Sequence, residues 1–314
     1  MTNRERLLYL AREGSLADDY LPAAFFLHFP DDCHAGPAAV RKHVEFFNAT
    51  GNDLVKVQYE RRFPALADIR RPSDWARLPC YDAAFYAEPL DVVAGVVDEL
   101  GGTAVVIVTL YSPFMFAGHV VGKERLLSHF AEDPAAVRSG LDVIAESLRH
   151  FVGGCIERGV DGFYASTQGG EVGRLDAELF GRYVKPTDLA VWELFRERTQ
   201  FNVLHVCDYA APYQSFEQYT DYPGHIVSAP VQLADRRLPG RDVARLFGRP
   251  FLGGLDRLGA ISHGPPDAIV REAEQAIRDG PEAMILGADC TLAAGADWND
   301  IATATGVAHA WKRN

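Results

Sequence analysis

Long basic runs are missing from this chain. No stretch of Lys and Arg exceeds two residues (Arg61-Arg62, Arg70-Arg71 and Arg236-Arg237 are examples), and 31 Lys and Arg stand against 43 Asp and Glu, a formal net charge of −12. A surface of that sign repels nucleic-acid backbones and anionic bilayers, so neither is expected as a partner. Cysteine is scarce too: five residues, an odd number without regular spacing, make no disulfide framework and fit a reducing cytosol. The N-terminal MTNRERLLYLAREG is charged and helical in pattern and lacks the apolar core of a secretion signal, so a cytoplasmic location is expected. The most apolar stretch, residues 103–121, is broken by Ser112, Pro113 and His119, so it reads as a buried strand running into a loop and not as a membrane span. No early strand is followed by G-x-G-x-x-G, and the pair Gly169-Gly170 lacks that spacing, which argues against a dinucleotide-binding fold.

What the chain does have is alternation. Apolar strand-like runs fall at 21–29 (LPAAFFLHF), 53–59 (DLVKVQY), 104–111 (AVVIVTLY), 162–167 (GFYAST), 201–208 (FNVLHVCD), 225–229, 250–254 and 284–287. Helical periodicity marks 3–12, 37–48, 90–100, 123–131, 134–158, 176–199, 240–247, 266–279 and 298–311, with Pro186 predicting a kink or break in the sixth of these. The polar loop 60–89, rich in Arg and Pro and carrying Trp75, is long enough to be functional or to hold structure of its own. No composition shift marks a boundary, so residues 1–314 are expected to form one domain. Eight βα units in series predict the α/β class, as a single (β/α)8 barrel with a short N-terminal helical extension.

In such a barrel chemistry sits at the C-terminal ends of the strands. His205 and Cys207, two apart on one strand, face the same way there, and Cys290 ends the last strand. One imidazole and two thiolates from two strand ends, with no fourth ligand in view, describe an open, catalytic zinc site; the other reading of a His-x-Cys pair is two satisfied core residues. The same face collects His28, Gln58, Tyr59, Tyr111, Ser112, Gln168, Glu171, Asp208 and Asp256. Cys33, Cys80 and Cys155 have no matching partners and read as incidental.

These motifs, in this order, resemble the uroporphyrinogen decarboxylase superfamily, and specifically its zinc-dependent branch of methylcobamide:coenzyme M-type methyltransferases. HVC at 205–207 and ILGADC ending at Cys290 match the branch's H-x-C and late cysteine; SPFMFAGHVVG (112–122), LGGLDR (252–257) and the Gly-Pro-Pro that opens the next helix are similar to other landmarks. The resemblance implies zinc held by His205, Cys207 and Cys290, a small thiol as methyl acceptor, a methylated corrinoid on a partner protein as donor, and a homodimer. The rim residues themselves suggest further roles. Glu171 is expected as a resting fourth ligand or general base, or else as a solvated loop carboxylate; Asp208 as a group that tunes the metal or meets the substrate; and Tyr111 as a catalytic side chain or a packing one. His28, Tyr59 and Gln168 are expected to line the substrate's place, the other readings being a core histidine paired with backbone and a packing tyrosine, and Asp256 either orients His205 or caps a helix. The chain departs from the pattern in four places. HFPDDCHAG stands where the decarboxylases carry an arginine-rich segment; Asp208 and Asp289 stand where the methyltransferases have glycine, and Gly254 where they have asparagine. Two other classes stay open: a decarboxylase or lyase of a small substrate, and a non-catalytic corrinoid- or metal-binding relative.

Overall fold

Seven of the eight apolar runs form one all-parallel sheet in the computed structural model, which describes residues 1–312. Its strands are β1 (Leu54–Val57), β2 (Val105–Tyr111), β3 (Gly162–Thr167), β4 (Val203–Val206), β5 (Ile226–Ser228), β6 (Phe251–Leu255) and β7 (Met284–Ala288), paired in chain order. The β2 run VVIVTLY is buried along nearly its whole length, as expected of a strand with helices on one face and a barrel interior on the other.

The eighth run, residues 21–29, is extended but makes no ladder. It touches the β7 side through two isolated parallel bridges, Ala23–Leu286 and Leu27–Leu292. On the β1 side, the Asp53 N–H donates to Ala23 O at 2.9 Å, and side chains take the other backbone groups that a neighbouring strand would take. Asn52 accepts from Phe25 N–H at 2.9 Å and donates to its carbonyl at 3.1 Å, while Asp53 Oδ2 accepts from Ala23 N–H at 2.8 Å. The segment still closes the barrel. One interior cluster joins Ala24 and Phe26 to Leu54, Val105, Ile107, Tyr164, Val203, Ile226, Leu252 and Ile285, so all eight positions contribute. Helix α1 (Asn3–Glu13), started by a Thr2–Glu5 capping box and ended by Gly14 in the left-handed region, adds Leu7 and Leu10 to the same cluster. The predicted N-terminal extension is therefore a plug at the N-terminal end of the barrel.

Outside the barrel run α2 (Gly36–Thr50), α3 (Ala87–Leu100), α4 (Pro113–Val121), α5 (Lys123–Glu132), α6 (Pro134–Glu157), α7 (Ala177–Leu179), α8 (Lys185–Trp192), α9 (Gly240–Phe247), α10 (Ala260–His263), α11 (Pro266–Asp279) and α12 (Trp298–Ala310). Helix α10 falls where the sequence reading placed none, and two other places differ from it. Helix α4 lies where a loop was expected: Ser112 caps it, accepting from Met115 N–H at 3.4 Å, and Pro113 sits in its first turn. Nearly every residue of α4 is apolar, so its sequence lacks the one-sided period that reveals a surface helix. The break expected at Pro186 is a five-residue π-turn, Phe180–Val184, between α7 and α8. The loop 60–89 carries 3₁₀ turns at Pro72–Arg77 and Ala83–Tyr86. Among the described residues no helix is long and apolar enough to cross a membrane.

Candidate metal centre

Strand alternation builds the site. With Leu54, Ile107, Tyr164 and Val203 facing the interior, the residues two and four further on face it as well. Above an apolar floor this places Lys56 and Gln58 from β1, Thr109 and Tyr111 from β2, Ser166 and Gln168 from β3, and His205 and Cys207 from β4. Cys290 and Thr291 arrive from beyond β7. Most of these line a cavity of about 360 Å³ at the C-terminal end of the barrel.

The side chains of His205, Cys207 and Cys290 converge, with ligand atoms within 4.8 Å of one another and all three residues buried. The Cys207 and Cys290 sulfurs are 3.9 Å apart. Two thiolates at zinc–sulfur distances in a tetrahedral shell stand about 3.8 Å apart. His205 stacks on Tyr164, ring centroids 4.7 Å apart at 29°, and register places it beside Ser166 and Ser228. Both of its ring nitrogens are buried without a hydrogen-bond partner. A core histidine is normally satisfied, so two unpartnered nitrogens beside two thiols suit a bound cation. Gln168 Nε2 donates to the Cys207 sulfur at 3.3 Å. The hydrogen bond from Cys290, aided by Gln168, holds the Cys207 thiol below the usual range, and that same bond together with burial pushes the Cys290 thiol up.

Several rim residues differ from expectation. Asp256 is exposed and accepts from Leu258 N–H at 2.8 Å, a turn contact; it makes no contact with His205, whose ring is held by Tyr164 instead. Glu171 is buried, but its carboxylate is engaged by Arg174 at 2.9 Å and by the Gly169 amide, and it lies outside the cavity lining and the three-residue cluster. Burial pushes its carboxyl up and Arg174 opposes the shift. In the place expected for Glu171 the cavity has Arg174, stacked over Phe114 at 5.0 Å. Tyr111 lines the cavity and takes a hydrogen bond from Gln58 at 3.1 Å. Tyr59 lines it too, packed edge-on against Phe116 and Phe151 with its hydroxyl unpartnered. His28 lines the cavity beside Glu60, 3.1 Å away. Asp208 reaches Arg257 at 2.8 Å. Burial pushes the Asp208 carboxyl up; burial and the neighbouring Asp208 charge take Asp289 to about 6 in spite of Arg257.

The residue that sequence reasoning passed over is Lys56. It is buried, donates to Gln58 Oε1 at 2.7 Å and Thr291 Oγ1 at 3.0 Å, and lies over the rings of Phe26 and Tyr164 at 4.7 and 4.9 Å. Burial lowers its ammonium to about 8, against the pull of the nearby sulfurs and Glu60. Its signal was a charge in the interior phase of an otherwise apolar strand, DLVKVQY. Arg62 and Lys123 add further cations to the lining.

The family model for uroporphyrinogen decarboxylase (URO-D) matches residues 48–311. Among curated proteins the chain is 21% identical over 210 residues to a methylated-thiol–coenzyme M methyltransferase of Methanosarcina mazei, across 66% of this chain and 54% of that protein. The chain thus spans about half the length of the curated relative it matches. Among solved structures its fold is shared with a methyltransferase from Methanosarcina mazei, at TM-score 0.78 and 15% identity over 98% of each chain. It is also shared with a B12-independent methionine synthase from Shewanella sp. W3-18-1, at TM-score 0.61 and 11% identity over 92% of this chain and 97% of that one.

Proposed function

The chain belongs to the uroporphyrinogen decarboxylase family, and from that premise we propose that it is a zinc-dependent methyltransferase that passes a methyl group from a corrinoid, carried on a partner protein, to a small thiol. The observation that carries this reading is the buried His205–Cys207–Cys290 cluster, with both imidazole nitrogens free and a cavity opening onto it. Methyltransferases among the relatives support the reaction class.

His205, Cys207 and Cys290 would hold the metal. Bound there, zinc supplies a Lewis-acidic open position at which a thiol loses its proton at neutral pH. Tyr164 keeps the imidazole in its plane, and Gln168 keeps a donor on the Cys207 sulfur. Lys56, Arg62, Lys123 and Arg174, the last paired with Glu171, outnumber Glu60 in the cavity lining of a chain of net charge −12, which favours an acceptor that carries an anionic group beside its thiol. Lys56, held by Gln58 and Thr291, is the deepest of these cations and would fix that group. A cytosolic setting, a protein-borne donor and a homodimer complete the reading.

Metal analysis beside variants tests it. Purified wild type is expected to hold one zinc, and His205→Ala and Cys290→Ser to lose most of it. Folded wild type without zinc overturns the reading, and a decarboxylase that needs no metal then takes its place. Thiol methylation from methylcobalamin separates an enzyme from a protein that only binds the metal.

A further inference from the structure

The two ligand cysteines reach the centre from strands that are not neighbours. Two strands, β5 and β6, lie between β4 and β7 in the sheet, so no ladder hydrogen bond fixes the distance between Cys207 and Cys290. Each cysteine has an aspartate beside it in sequence, Asp208 after Cys207 and Asp289 before Cys290. Arg257, two residues beyond β6, lies between the two carboxylates. Its Nη1 is 2.8 Å from Asp208 Oδ1 and 3.3 Å from Asp289 Oδ2. Its backbone N–H also donates to Asp289 Oδ1 at 2.9 Å. The arginine is itself held in place: Ser262 Oγ donates to its carbonyl at 2.6 Å, and Asp289 N–H donates to Leu255 O at 2.8 Å on the same strand end. The three side chains are 10–15% exposed, dry enough for their geometry to be kept.

We propose that Arg257 is a positioning residue: it ties the β4 and β7 ends together through Asp208 and Asp289 and so holds the two thiols at the separation a tetrahedral metal needs. The proposal rests on the metal reading of His205, Cys207 and Cys290 and adds a residue that touches neither metal nor substrate. Position and charge predict opposite signs. A guanidinium acting by charge alone repels a dication, so its removal would tighten metal binding. A guanidinium that sets the sulfur–sulfur distance weakens metal binding when it is lost.

The test compares wild type, Arg257→Ala and Arg257→Lys by zinc competition against a chromophoric chelator and by Co²⁺ spectra. The metal-free proteins are also titrated with phenylarsine oxide, a small reagent that bridges two close thiols. Arg257→Ala is expected to bind zinc roughly 10- to 100-fold more weakly, the usual range for losing a group that supports metal ligands. Its cobalt form should lose thiolate charge-transfer intensity, and its arsenical should bind correspondingly more weakly. Arg257→Lys, which can still donate to both carboxylates from one nitrogen, should recover much of each. Unchanged or tighter zinc binding by Arg257→Ala, with unchanged arsenical binding, overturns the proposal. If Arg257→Ala does not fold, Arg257→Gln takes its place with the same expected direction. The arsenical needs no zinc. If wild type binds none while arsenical bridging still depends on Arg257, the metal reading fails and the positioning role stands.

Discussion

At the scale of single residues, two buried titratable groups make opposite demands on the fold. Lys56 is kept as a cation by hydrogen bonds and by the rings beneath it, at the cost of burial. Lys56→Met is expected to leave the fold intact and to weaken binding of an anionic thiol roughly tenfold or more, the loss of a charged hydrogen bond, with little change for a neutral thiol. Parallel calorimetric titrations with the two thiols check it. Asp188 is the other case. Thr167 and Tyr222 donate to its Oδ2 at 2.7 and 3.0 Å while Oδ1 has no partner, and burial lifts the carboxyl from 3.8 to about 7. Between those values the folded chain keeps a proton that the unfolded chain has released. The stability this gives is fully present below 3.8 and is lost as the pH rises to about 7. At roughly 1.4 kcal/mol per pKa unit, several kcal/mol disappear across that window. Asp188→Asn should flatten the fall of Tm with pH in thermal scans. Of the site, His205 and Cys207 were legible because strand alternation puts i and i+2 on one face, and Cys290 because it follows the last strand. Glu171 was misplaced because no local pattern reveals that Arg174, three residues on, engages it.

At the scale of elements, legibility followed periodicity. Strands flanked on both sides by structure read as unbroken apolar runs, and β2 and β3 were found nearly to their ends. Helix α4 was missed because a buried helix has no polar face. The run 21–29 read as a strand, yet Asn52 and Asp53 intercept its hydrogen bonds, a long-range contact that the run itself does not encode. The excursion 60–89 shows how such contacts bind an element. Trp75 donates through Nε1 to His129 Nδ1 at 3.0 Å, and a Cβ added at Gly140 of α6 would run into its ring. Gly140→Ala should force the indole out of its notch and destabilise the chain by about 1–3 kcal/mol, read in denaturant titrations with tryptophan fluorescence as the probe. A similar fit holds at Gly254 in β6, which has φ +117° and would place a Cβ 2.9 Å from that of Ala276 on α11, so a side chain there is opposed by both backbone and neighbour.

At the scale of the whole molecule, the barrel is sealed at one end. Leu7 and Leu10 of α1 enter the interior cluster, and Arg4 anchors the helix through two hydrogen bonds to Asp161, at 2.6 and 2.7 Å. Leu10→Ala should cost about 2–5 kcal/mol, the usual loss for a buried leucine, and lower Tm in thermal scans while leaving zinc content unchanged at temperatures where the chain is folded. The plug was legible as a helix but not as a plug, because its partners come from eight other parts of the chain. Its consequence is kinetic. The interior cluster that α1 completes closes one end of the barrel, so the cavity has its opening at the C-terminal face, and on the proposed function a donor carried on another protein would stopper the entrance used by the small acceptor. The acceptor must then be seated before the donor docks, and the methylated product must wait for the donor's departure. Such an enzyme follows a compulsory order, and excess donor protein traps the product inside.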